Sequence, residues 1–127
     1  MAQQSAGFHE ASEKLKAETR DRHREIASIM EELEAVDWYD QRVDAAGDDE
    51  LRAILAHNRD EEKEHAAMVL EWLRRRDPNL DLQLRNYLFV DKPVLEREME
   101  LDEAQDETPQ CADGSLGIGS LRAAPKP

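Results

Sequence analysis

Aromatic residues make up only 5% of this 127-residue chain, and cysteine occurs once, at Cys111. With so few aromatics beside 37% charged residues, a single copy is poorly supplied with material for a core. One cysteine excludes an internal disulfide framework and fits a reducing compartment. No apolar run approaches the ~18 residues of a membrane span. Met1 to Glu10 lacks the basic start and apolar continuation of a secretion signal, so a cytoplasmic location is expected. Basic residues are also scarce: 17 Lys and Arg stand against 30 Asp and Glu, for a net charge of -13. That balance argues against nucleic acid and against an anionic membrane as partner, since both call for basic patches. It suits a cation as substrate.

The apolar residues that are present recur at helical spacing, and an all-α protein is expected. Residues 1–10 are polar and without pattern, and read as a flexible arm. Ser12 is a candidate N-cap for a long first helix, whose apolar positions Leu15, Ile26, Ile29, Met30, Leu33 and Val36 share one face out to about Arg42. Gly47-Asp48-Asp49-Glu50 then supplies a break, a cap and acidic residues for the first turn of a second helix. Arg74-Arg75-Arg76 complements the C-terminal dipole of that helix, and Asp77-Pro78 ends it. So short a connector implies an antiparallel two-helix hairpin. A shorter apolar helix follows from Leu80 to Phe89 and a weak one from Val94 to Ala104. The helical domain is therefore placed at 11–104, a flexible acidic linker at 105–114, and a tail at 115–127.

The second helix carries the chemistry. Leu51, Ile54, Leu55, Val69, Trp72 and Leu73 gather into one apolar arc, and Glu62 and His65 project from the middle of it. A carboxylate withdrawn from water without a partner costs roughly several kcal/mol. Its partner is either a cationic side chain of a neighbour or a metal ion. Glu62 and His65 stand at i and i+3, and Glu-x-x-His is the inward-pointing pair of carboxylate-bridged di-iron and di-manganese bundles. Such a site takes a Glu from each of two helices and a Glu-x-x-His from each of two others. This chain has one of each, since Glu32 lies on the rim of the first helix's arc beside Val36 and Tyr39. A hairpin alone also leaves its apolar faces half covered. Both counts point to a four-helix bundle completed by dimerisation, with the metals near the two-fold axis. Carboxylates with one imidazole per ion suit Fe, Mn or Zn, and iron oxidation is the sharpest reading. By the same reasoning Glu31 and Glu34 are solvated surface charges, His9, His23 and His57 are exposed, and Trp38 and Trp72 are interface packing.

Three phrases resemble the encapsulated ferritins: Glu31-Glu32-Leu33-Glu34-Ala35-Val36-Asp37-Trp38-Tyr39-Asp40, Ala56 through Met68, and Ser115-Leu116-Gly117-Ile118-Gly119-Ser120-Leu121. The resemblance implies a ferroxidase that oxidises Fe2+ to Fe3+ with O2 or peroxide, with Glu32, Glu62 and His65 as di-iron ligands drawn from two subunits. It implies an outer carboxylate site at Glu31 and Glu34, able to take calcium or another divalent ion, with Trp38 beside it and Tyr39 near the di-iron centre. It further implies a ring of five dimers working in the lumen of an encapsulin nanocompartment. Residues 115–122 would then dock to the shell through Leu116, Ile118 and Leu121, an apolar segment on a polar tether. The alternative is a non-catalytic acidic cargo or scaffold that buffers divalent metal. A rubrerythrin-like peroxidase would want two ligand sets in one chain and a second redox centre, and neither is visible.

Overall fold

The computed structural model describes residues 7–107. All the regular structure among them is helical: one 3-10 turn at Ser12–Lys14, then α1 (Ala17–Ala45), α2 (Asp49–Arg76), α3 (Pro78–Tyr87) and α4 (Val94–Glu107). No helix among the described residues is long and apolar enough to cross a membrane. The chain divides into two units, with the boundary between Leu84 and Arg85.

In the first unit α1 packs along α2 as a hairpin. The turn is built as its residues dictate. Asp48 caps α2, its Oδ1 accepting from the Leu51 amide at 2.7 Å, and Asp49 and Glu50 fill the first turn. Arg52 reaches back to the Ala46 carbonyl and ties the cap to the end of α1. At the far end Asp77 accepts from the amides of Asn79 (3.1 Å) and Leu80 (3.0 Å), with Pro78 at the first position of α3. Arg74 grips both oxygens of Glu71 at 2.6 and 2.7 Å and also meets Asp81, which fastens the start of α3 to α2.

Two boundaries differ from those expected. Ser12 opens only a single 3-10 turn, because Leu15 (ψ 134) and Lys16 (ψ 154) are extended, and α1 starts at Ala17. Part of the expected arm is also seated: the Phe8 ring lies 4.6 Å from that of His23, which is half-buried rather than exposed. Further on, α4 continues through Gln105, Asp106 and Glu107, residues assigned above to the linker. Their acidity does not break a helix, and Pro109 is the first residue that disfavours one.

The second unit is stitched by Lys92 to Glu100 (2.6 Å) and by Arg97 Nε donating to the Asn86 carbonyl (2.8 Å). Phe89, past the end of α3, takes a left-handed φ of 57° with its side chain in solvent.

Among the described residues only Ala66 and Leu73 are buried. Ile26, Met30 and Leu33 on α1 remain exposed, as do Leu51, Ile54 and Met68 on α2. The packed seam of the hairpin is therefore thin, and apolar surface is left on both helices.

Candidate metal centre

The face of α2 that meets α1 carries Leu55, Glu62, Ala66 and Leu73, spaced so that all four fall within about 40° around the helix. Glu62 thus enters the seam through the same periodicity that buries Ala66 and Leu73. From α1 comes Glu32, with Tyr39 two turns further along the same side. His65, one turn beyond Glu62, stands at the edge of the seam.

These three side chains converge. One ligand atom each from Glu32, Glu62 and His65 lies within 4.8 Å of the others. His65 Nδ1 is 3.2 Å from Glu62 Oε2 and 3.8 Å from Glu32 Oε2. Their side chains are 27%, 23% and 51% exposed for Glu32, Glu62 and His65, so the two acids are recessed and the imidazole forms the open rim.

The protonation of the three groups is linked. The neighbouring Glu62 carboxyl, through a side-chain hydrogen bond, and then partial desolvation lift the Glu32 carboxyl above its usual range. The same bond and the nearby His65 hold Glu62 low, while the Glu62 carboxylate raises His65. Glu32 and His65 thus each hold a proton more firmly than a free side chain would, and Glu62 less firmly. Two recessed hard oxygen donors and one nitrogen at the rim form a donor set that fits Fe, Mn or Zn.

The remaining candidates are spread around this cluster. Glu31 and Glu34 are exposed on α1 and lie outside it, although the charge of Glu31 contributes to raising Glu32. Trp38 is exposed and lines a shallow recess with Gln41, Arg42 and Ala45. Tyr39 is half-buried, with the Arg42 guanidinium carbon 5.3 Å from its ring centre. His57 pairs with Glu61 at 3.0 Å and stays exposed. Leu116, Ile118 and Leu121 lie outside the described residues.

The sequence reading missed a tie across the hairpin: Arg59 Nη1 donates to Asp40 Oδ1 at 2.9 Å. Only Arg59's half of it was legible, because Arg59 stands three residues before Glu62 and so shares its face, while nothing in the sequence pointed to Asp40 as its partner.

A helical hairpin that offers Glu from one helix and Glu-x-x-His from the next carries half the ligand pattern of a ferritin-like bundle. The chain belongs to the EncFtn-like family, whose model matches residues 7–91. It is 60% identical to an encapsulated ferritin-like protein of Rhodospirillum rubrum, over 96% of this chain and 92% of that one. A ferritin-like protein of Thermotoga maritima is 50% identical over 90% of this chain and 96% of its own. An encapsulin nanocompartment cargo protein of Myxococcus xanthus is 31% identical over 75% and 79% respectively. Among solved structures, a protein from Nitrosomonas europaea matches with a TM-score of 0.68 and 64% identity, covering 69% of this chain and 97% of that one.

Proposed function

We propose that this protein is a ferroxidase that oxidises Fe2+ to Fe3+ at a di-iron site shared by two subunits, inside an encapsulin nanocompartment. The observation that carries the reading is the convergence of Glu32, Glu62 and His65 within 4.8 Å, with His65 at the exposed edge of the seam. One such set is half of what a carboxylate-bridged pair of metals takes. The stripe around His65 is apolar and exposed, with Leu51, Ile54 and Met68 lying within roughly 60° of it around α2. A second copy laid against that stripe covers the apolar surface and brings the second Glu and Glu-x-x-His.

In this reading Fe2+ is the substrate. Glu62, held low and so favoured as the carboxylate, would bridge the ions, and Glu32 and His65 would each complete one coordination sphere. Metal competes with protons at Glu32 and His65, because both are held above their usual ranges in the metal-free protein. Two ferrous ions held close supply the electrons that O2 accepts. The acidic surface, at a net charge of -13, draws Fe2+ toward the opening, and Glu31, Glu34 and Trp38 form the outer station on that route, with calcium or another divalent ion able to occupy it.

The names of two relatives, an encapsulated ferritin-like protein and an encapsulin nanocompartment cargo protein, support a place in the lumen of a shell. Docking by residues 115–122 and assembly as a ring of five dimers rest on the resemblance of the sequence phrases alone. Oxygen uptake under Fe2+ tests the activity. Glu62→Ala and His65→Ala should each abolish it, while Glu64→Gln, an equal loss of charge elsewhere on α2, should leave it intact. Metal binding by wild type with no oxygen consumed would favour a passive metal-buffering cargo instead.

A further inference from the structure

Outside the Glu32, Glu62 and His65 cluster, one ion pair among the described residues joins α1 to α2, and it is Arg59 to Asp40 at 2.9 Å. The same guanidinium reaches Asp60 Oδ1 through Nε at 3.1 Å, and Lys63 Nζ holds that carboxylate from its other side at 3.1 Å. Arg59 is thus anchored by two acids, with its side chain only 24% exposed.

An antiparallel helix pair is kept from sliding by interlocked side chains and by polar ties. The buried side chains of this hairpin, Ala66 and Leu73, both lie on the C-terminal side of Glu62 along α2. On the other side, toward Leu51, Leu55 and Asn58 are only half-buried, and the Arg59 to Asp40 pair takes the place of a packed core. A slip of one residue along a helix is about 1.5 Å, whereas metal–ligand distances tolerate about 0.2 Å. On the Leu51 side the connector and the Arg52 tie to the Ala46 carbonyl join the helix ends, and between them and the cluster the Arg59 to Asp40 pair is the polar tie that spans the seam.

We propose that Arg59 and Asp40 are positioning residues: their ion pair sets the register of α1 against α2 and so keeps Glu32 opposite Glu62 and His65. The proposal rests on metal binding at that cluster. Neither residue touches the ligands, and the guanidinium is turned toward Asp40 and Asp60 rather than Glu62.

The test uses the full-length protein and Co2+ in air-free buffer, with native mass confirming equal assembly. Asp40→Asn and Arg59→Gln should each weaken Co2+ binding by roughly two- to fivefold, the ceiling set by the strength of a partly exposed pair. Both should change the shape of the visible absorption of the bound ion. The double substitution should be no worse than either single one, and Arg59→Lys, which keeps a cation for Asp40, should recover most of the affinity. A pair that only stabilised the hairpin would lower Tm and leave the affinity and the spectrum of the folded protein unchanged. That result overturns the proposal, as does simple additivity of the two substitutions. If wild type and Glu62→Ala bind Co2+ alike, the metal-site reading fails first and this role falls with it; wild-type binding unaffected by Asp40→Asn sinks the positioning role alone.

Discussion

If the metal set is completed by a second chain, removing apolar surface beside His65 should cost activity through assembly rather than chemistry. Ile54 tests this. It lies eleven residues before His65, about 20° away around α2, and it is 51% exposed in the single chain. Full burial of an isoleucine is worth roughly 1.5–3 kcal/mol, so covering the exposed half contributes about 1 kcal/mol per copy. A symmetric interface counts it twice, and Ile54→Ala should weaken the pairing by about 2 kcal/mol, or ~30-fold in dissociation constant. Sedimentation velocity over a dilution series measures that shift, and oxygen uptake under Fe2+ is read on the same samples. The rate per chain of Ile54→Ala should fall on dilution and recover on concentration. Glu62→Ala should stay inactive at every concentration, because its lesion is in the ligands. A monomer that oxidises Fe2+ at the full rate refutes the two-chain site, and an Ile54→Ala protein that assembles as tightly as wild type refutes the placement of the interface.

Three further outcomes follow from the local geometry. His65 is held above its usual 6.5, first by Glu62; its contribution to the metal-free fold is present below that value and lost as pH rises through the raised one, so metal and proton compete. Calorimetry in two buffers should find more protons released on Co2+ binding near pH 6.5 than near pH 8.5, and His65→Ala should flatten the difference. Glu71 is pulled down to about 2 by Arg74 and then Arg75, so its stabilisation is present above the usual 4.5 and lost as pH falls toward 2. At 40% exposure solvent screens much of it, and Glu71→Gln should lower Tm by a few degrees at neutral pH, with the gap closing near pH 2. Phe89 holds a φ of 57° with no packing to lose. Glycine should relieve roughly 1–2 kcal/mol of left-handed strain and lose about 0.5–1 kcal/mol to its freer unfolded chain, a small net gain readable by urea unfolding; a loss of stability instead would mean that the ring is covered in the assembled protein.

The parts of the fold that were legible were those written in local chemistry. Gly47-Asp48-Asp49-Glu50 and Asp77-Pro78 mark their helix ends because capping needs a side-chain oxygen or a fixed φ at a set position. Glu62 and His65 stood out because a three-residue spacing within an apolar arc is visible on one helix alone. Glu32 was harder, since its place opposite Glu62 depends on how two helices align, and only the count of ligands and the phrase shared with the encapsulated ferritins pointed to it. The Arg59 to Asp40 pair was missed for that reason: its partners are nineteen residues apart on different helices, and no periodicity within one helix encodes register between two. The start of α1 was misplaced because Ser12 is a cap by residue type only, while Leu15 and Lys16 extend the chain before the helix begins.

A thin core and an incomplete ligand set need not be separate shortcomings of this chain. Only two described residues are buried, so a lone copy has little to hold it folded, and the exposed apolar stripe on α2 runs through His65, the member of the cluster that is half in solvent. On the proposed reading, one contact does both jobs: covering Leu51, Ile54 and Met68 supplies the missing burial and closes the metal site in the same step. Iron oxidation is then confined to assembled protein, because a dispersed chain has neither the second bridging Glu nor the shelter from water that the pair provides. It also follows that metal should stabilise the assembly by mass action, since it binds only the joined form. Raising Co2+ should therefore tighten the pairing of wild type and raise its Tm, and should do neither in Glu62→Ala.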